Sequence, residues 1–160
     1  NENGLKWFLE KIWDDDLAEQ TQFIIAGRGS DRVFNEISDG RTYKGVKALG
    51  AVDDMKPHLA KAKAAIVPLL HGSGTRLKCI ESMALRTQLI STSLGAEGID
   101  HGGSISIADD PESFKNSIIN IIQGKTDRTD DAYNIFMSNY SLKGNRDIFN
   151  AIVSKITSNN

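Results

Sequence analysis

The sequence predicts an α/β fold, a doubly wound parallel sheet with helices on both faces. Three observations point there. Short apolar runs alternate with amphipathic segments along the chain, the order that places helices between parallel strands. One run, "AAIVPLL", is apolar throughout, as a strand covered on both faces must be. Glycines stand in the turns that follow several of these runs, where a strand hands over to a helix.

The chain opens on "NENGLKWFLEKIWDDDLAEQ", where Leu5, Phe8, Leu9 and Ile12 recur at helical spacing and Asn3 is placed to cap the helix. "TQFIIAGRG" reads as a buried strand, Phe23–Ala26, entering a glycine turn, and "SDRVFNEIS" as a short helix capped by Ser30 or Asp31. "VKALGAV" gives a second strand at Val46–Leu49, and "DDMKPHLAKAKA" a short helix with Pro57 in its first turn. "AAIVPLL" is the third strand, "HGSGTRLKCIESMA" a loop and helix, and "QLIST" the fourth strand. The Gly-rich "SLGAEGIDHGG" leads to a short fifth strand, "SISIA". "DDPESFKNSIINIIQG" has an acidic first turn with Pro111, then Phe114, Ile118, Ile119 and Ile122, then Gly124 as terminator. Two more helices, at about 129–140 and 143–157, are expected to lay Tyr133, Phe136, Tyr140, Ile148, Phe149 and Ile152 against the sheet. No repeat interrupts this order, and residues 1–160 read as one domain.

Composition narrows the function. At 160 residues, 39% hydrophobic and 25% charged, the chain is an ordinary globular domain. Its net charge of −2 and lack of a Lys/Arg block argue against nucleic acid as a partner. No apolar run approaches the roughly 20 residues of a membrane span, and the opening residues do not resemble a signal peptide, so a cytoplasmic location is expected. The single cysteine, Cys79, cannot form an intramolecular disulfide, and the three histidines at 58, 71 and 101 lack ligand spacing, so no metal site is expected.

In such folds ligands sit at the carboxyl ends of the strands. The loops there begin at Gly27, near Ala51–Asp54, at Leu70–Thr75 and at Ser93–Gly98. The P-loop pattern is absent, and the dinucleotide fingerprint fails twice: Arg32 and Leu77 stand where "GRGSDR" and "GSGTRL" need a third glycine. The physics of "HGSGTRLKCIESMA" still favours an anion. Its loop enters a helix whose free N–H groups and positive dipole end face outward. Gly72 and Gly74 permit close approach, and Arg76 and Lys78 add positive charge where a helix start disfavours it unless an anion binds. The alternative is an exposed helix start with two solvated cations. Leu77, Ile80, Met83 and Ala84 form one apolar stripe, with Glu81 about 40° from Leu77 at its border. There Glu81 either accepts hydrogen bonds from sugar hydroxyls or pairs with Lys78.

The run "VPLLHGSGTRLKCIESMALRTQLISTSLGAEGI" (67–99) closely resembles the donor-binding, C-terminal domain of retaining glycosyltransferases of the GT-B fold, family-four type (group 1). "GLKWFLEKIW", "FIIAGRG", "GAVDD" and "ADDPESFKNSI" fall in that family's order, so the resemblance covers about residues 3–122. It implies a Rossmann-like domain that binds a nucleotide-diphosphate sugar as substrate, with no cofactor and no metal. Glu81 would hold the ribose hydroxyls, and Gly72, Ser73, Gly74 and Thr75 would lie at the sugar and phosphates. Arg76 and Lys78 would neutralise the diphosphate as the sugar departs. Backbone groups near Val52 and Asp53 would meet the base, and Gly27 and Gly29 would line the cleft edge. Arg28 and His71, at the mouth, are further candidates beside bland readings as surface residues. Glu97 reads either as a donor contact or as a structural residue.

The sequence departs from the family in two ways. Many members carry a Glu eight positions before the one matched by Glu81, and Ser73 stands there. Members also place an Arg and a Lys-Gly pair beside a strand upstream of the opening helix; here these are either lacking or lie in chain ahead of Asn1. One Rossmann-like domain is half of a GT-B enzyme. The expectation is therefore the donor half of a longer hexosyltransferase, inactive alone, whose missing N-terminal domain takes a glycan, lipid or other acceptor and supplies any contact with the inner membrane. Rival readings are a non-catalytic nucleotide-binding or scaffold module of the same fold, and an unrelated doubly wound domain. No Asp directly follows an early strand, which argues against a phosphate-accepting receiver.

Overall fold

Five parallel strands carry the chain through the molecule: β1 (Phe23–Ala26), β2 (Val46–Gly50), β3 (Ala64–Val67), β4 (Gln88–Ser91) and β5 (Ser106–Ile107). The structure is a computed structural model that describes residues 2–157; the side chains of Ile148 and of residues 151–157, including Ile152, lie outside what is described. Every connection between successive strands contains a helix except that from β4 to β5: α3 (Ser30–Ser38), α4 (Lys56–Lys61) and α5 (Leu77–Ala84). Helices α1 (Glu2–Lys11) and α2 (Asp15–Gln20) precede the first strand; α6 (Pro111–Ile122), α7 (Thr129–Ile135) and α8 (Leu142–Thr157) follow the last.

The two faces of the sheet are written in alternate residues, as a pleated strand requires. Ala64, Ile66 and Ile90 join the larger core with Phe8, Leu9, Ile12, Phe114, Ile118 and Ile121. Ala65, Val67 and Leu89 join the smaller core with Cys79, Ala96 and Ile105. Helices α1 and α6 thus cover one face and α5 the other. The aromatic centre of the larger core is tight: Phe8 and Phe23 stand 4.6 Å apart, and Trp7 meets Phe114 edge-on at 5.6 Å. Gly4 in the first turn of α1 has no room for a side chain, because a Cβ there would lie 1.9 Å from the Pro68 carbonyl oxygen. That contact fixes the start of α1 against the carboxyl end of β3.

The sheet departs from the expected single layer. Hydrogen bonding divides it into β1–β2 and β3–β4–β5, and no ladder joins β1 to β3 among the described residues. Smaller corrections concern helix starts. Helix α1 already includes Glu2, so Asn3 sits inside its first turn. The segment after Trp13 forms a helix of its own, α2, capped by Asp14, whose carboxylate accepts from the Leu17 N–H. Neither Ser30 nor Asp31 caps α3; that place is held by Gly29 at φ 75°. Ser30 instead donates to the Ile25 carbonyl and accepts from the Gly50 N–H at 3.1 Å, stitching the bulge where β1 and β2 fall out of register. The predicted helix at 129–140 divides into α7 and a π-helical turn, Phe136–Tyr140. On α8, Phe149 is exposed and does not cover the sheet.

Candidate functional site

Because the strands are parallel, the loops after β1, β2, β3 and β4 emerge at one edge of the sheet. Gly27 (φ 130°) and Gly29 (φ 75°) follow β1, with Arg28 exposed between them. Gly50 ends β2 at φ 70° and leads to half-buried Val52 and exposed Asp53. After β3, Gly72 and Gly74 take φ 117° and 114°, values that favour glycine, and His71, Ser73 and Thr75 are exposed around them. A Cβ at Gly27, Gly29, Gly72 or Gly74 would meet no atom within 4 Å. These loops therefore border open space, and backbone conformation rather than crowding demands their glycines.

The loop enters α5 without a side-chain cap. Among the described residues no protein acceptor meets the N–H groups of Leu77 and Lys78, which face outward at the positive end of the helix dipole. Lys78 and Glu81 are exposed one turn apart, and neither takes part in an ion pair among the described residues, so the Lys78–Glu81 pairing does not form. The apolar stripe is rotated from its expected place. Cys79, Ser82 and Met83 are buried, while Leu77 is 57% exposed. The docking of the next loop sets this rotation: the Cys79 thiol donates to the Gly95 carbonyl. Burial, opposed by the charges of Arg76 and Lys78, pushes that thiol up to about 11, so it is no nucleophile at neutral pH.

Arg76 and Lys78 separate into two environments. The Arg76 side chain is 7% exposed; its guanidinium donates to the Gly74 carbonyl at 3.1 Å and to Glu97 Oε2 at 3.2 Å. Its Nε–H is buried without a partner. Lys78 points to solvent. The loop carrying Glu97 is itself anchored: Thr92 Oγ1 donates to the Leu69 carbonyl at 2.6 Å and accepts from the Gly95 N–H at 3.0 Å. Gly95 has no space for a Cβ, which would lie 2.4 Å from Ser91 Oγ. Sequence reasoning weighed Glu97 without assigning it a partner, since its partner lies 21 residues away. A concavity of about 610 Å³ beside Glu10, Lys11, Arg41 and Tyr43 contains none of these residues. No group of three or more His, Cys, Asp or Glu is placed to hold a metal among the described residues, and no described helix is long and apolar enough to cross a membrane.

Parallel strands flanked by helices, with a glycine loop feeding a helix start at the carboxyl edge, define a Rossmann-like class of domain. The family is then given by comparison: residues 1–124 match the model of the group 1 glycosyl transferases, and the chain belongs to that family. It is also 27% identical over 155 residues to an uncharacterized 44.6 kDa protein in the cps region of Klebsiella pneumoniae. That match covers 89% of this chain and 40% of the relative's length, so the chain spans well under half of the longer protein.

Proposed function

We propose that the chain is the nucleotide-sugar donor-binding domain of a retaining GT-B glycosyltransferase of the family-four type. The observation that carries this is the α5 start: free N–H groups, an unpaired Lys78 and an unpaired Glu81 on one exposed helix face beside an open glycine loop. In this reading Lys78 and the helix amides receive the charge that grows on the diphosphate as its bond to the sugar carbon breaks. Glu81 accepts from the ribose hydroxyls. Gly27 and Gly29 border the cleft, and Val52 and Asp53 meet the base through their backbone. The reaction invokes no metal. Ser73 replaces the carboxylate that many relatives carry, so recognition of the sugar falls to backbone and hydroxyl groups.

Two further points support a larger enzyme. The relative in the cps region is much longer, and that setting supports a role in polysaccharide biosynthesis. The facing free edges of β1 and β3 fit one more parallel strand, which a right-handed crossover through α1 would place between them. The acceptor, a glycan or lipid, would bind a second domain. The domain would act on the cytoplasmic side, with any membrane contact made by that second domain.

Calorimetric titration with UDP, GDP, ADP and inorganic phosphate tests the reading. One nucleoside diphosphate should bind, and Lys78→Gln and Glu81→Gln should each weaken it about tenfold or more. No binding of any nucleotide at millimolar concentration would favour the scaffold module. Turnover of a nucleotide sugar by the isolated chain would overturn its assignment as half an enzyme.

A further inference from the structure

We propose that Arg76 and Glu97 form a positioning clamp that aims the Gly74–Thr75 peptide at the bound anion, and that Glu97, rather than a substrate phosphate, is the counter-ion of Arg76. The inference rests on the donor-site reading for its consequence, though not for the clamp itself.

A guanidinium that is 7% exposed needs a counter-charge and hydrogen-bond acceptors to offset its desolvation. The structure supplies one of each: Glu97 Oε2 at 3.2 Å and the Gly74 carbonyl at 3.1 Å. The Gly74 carbonyl and the Thr75 N–H belong to one planar trans peptide and point in opposite directions. Holding the carbonyl on Arg76 therefore turns the Thr75 N–H away from the guanidinium, to the exposed side of the loop. Without that hold, a peptide that follows Gly74 at φ 114°, in a loop already loosened by Gly72 two residues before, has little to fix its orientation.

The far end of the clamp is rigid. Glu97 follows Ala96 and Gly95, both buried, and Gly95 is wedged against Ser91 Oγ and the Val67 carbonyl. Thr92 binds the same loop to Leu69, and the Cys79 thiol binds it to α5. Arg76 and Glu97 thus transmit the geometry of the loop after β4 to the loop after β3. Preorganised N–H donors of this kind gain their value from being fixed before the ligand arrives. Arg76 then acts on the ligand through the backbone, and Lys78 remains the cation that meets it.

Two measurements on the 160-residue chain test this, with Glu97→Gln, Arg76→Lys and the double variant. Glu97 is largely exposed, so Glu97→Gln should fold and keeps the test decisive if Arg76→Lys does not. In ligand-free ¹H–¹⁵N spectra both substitutions should shift the Thr75 amide in the same direction, while Glu36→Gln, on an exposed ion pair, leaves it in place. A Thr75 amide indifferent to Glu97→Gln would overturn the clamp, whether or not any nucleotide binds. In titrations with the preferred nucleoside diphosphate, each single variant should bind about five- to tenfold more weakly. The double should be no worse than the weaker single, and affinity for the matching nucleoside should be unchanged. Tighter binding by Glu97→Gln would show that Arg76 meets the phosphate and that Glu97 competes for it, overturning the proposal. A wild-type chain that binds no nucleotide would sink the donor-site reading, and the Thr75 amide would still decide the clamp.

Discussion

At Gly72 and Gly74 an added Cβ meets open space, yet φ lies near +115°, where other residues are strained. At Gly4 the conformation is helical, yet the Pro68 carbonyl oxygen occupies the place of a Cβ. Alanine should therefore do different things at the two sites. Gly72→Ala and Gly74→Ala should weaken nucleotide binding while lowering stability by only about 1 kcal/mol, since an exposed loop can relax. Gly4→Ala should cost about 1–3 kcal/mol by overpacking and lower Tm by about 2–4 °C per kcal/mol. Thermal melts alongside titrations separate the two, and a Gly4→Ala chain as stable as the wild type would mean that α1 stands off from β3. The pattern of glycines was readable in the sequence, as were the two cations beside them. Which cation is free was not. Arg76 and Lys78 look equivalent two residues apart, and only the docking of Gly95 and Glu97 from a distant loop buries the first and frees the second. The same docking turns Leu77 outward.

Among the elements, the long apolar patterns were legible and the short polar one was not. Helix α6 shows its core in Phe114 and Ile118, and its Asp110 cap with Pro111 marks the start. Helix α2, "DDLAEQ", buries only Leu17, so periodicity has nothing to register. What makes α2 a helix is the Asp14 cap, and Asp14 also pairs with Lys115 on α6. Burial pushes the Asp14 carboxyl up, but the bond from Lys115, the Leu17 N–H and the Lys115 charge outweigh it and hold it below the usual 3.8. A lowered folded pKa gives stability that is present above the unfolded value and lost as pH falls through the folded one. Asp14→Ala should cost about 1 kcal/mol at pH 7. The difference from the wild type should shrink below about pH 4, where the unfolded chain begins to bind the proton. Asp14→Asn, which keeps the capping acceptor but not the charge, should fall between. Urea titrations at pH 7 and pH 3 check this, and an Asp14→Ala deficit that persists unchanged at low pH would assign the effect to the neutral cap alone.

For the whole molecule, hydrophobic pattern says that a segment is a strand without saying which strand lies beside it. Strand number, direction and facing were all readable; the break between β1 and β3 was not. Alternation in the ladders shows which groups border that break. Phe23 and Gly27 donate to β2, so the backbone of Ile24 and Ala26 faces the other way. Val67 accepts from Thr92 of the loop after β4, so Ala64 and Ile66 face the break from the other side, followed by Pro68, which has no N–H to leave unpaired. Helix α1 and the turn after it span the break, packing Phe8, Leu9 and Ile12 in one core with Phe23, Ala64 and Ile66. The apolar core is thus continuous where the hydrogen-bond ladder is not, and two facing edges are an open template for pairing. In the 160-residue chain the amides of Ile24, Ala26 and Ile66 should exchange with deuterium at least about a hundredfold faster than those of Ile90 and Thr92, which lie in or beside the closed ladder. In a longer polypeptide that carries a strand ahead of α1, the same three amides should become as protected as Ile90, and stability should rise with them. Slow exchange at Ile24 and Ile66 in the short chain would mean that β1 and β3 close on each other directly, leaving no place for that strand.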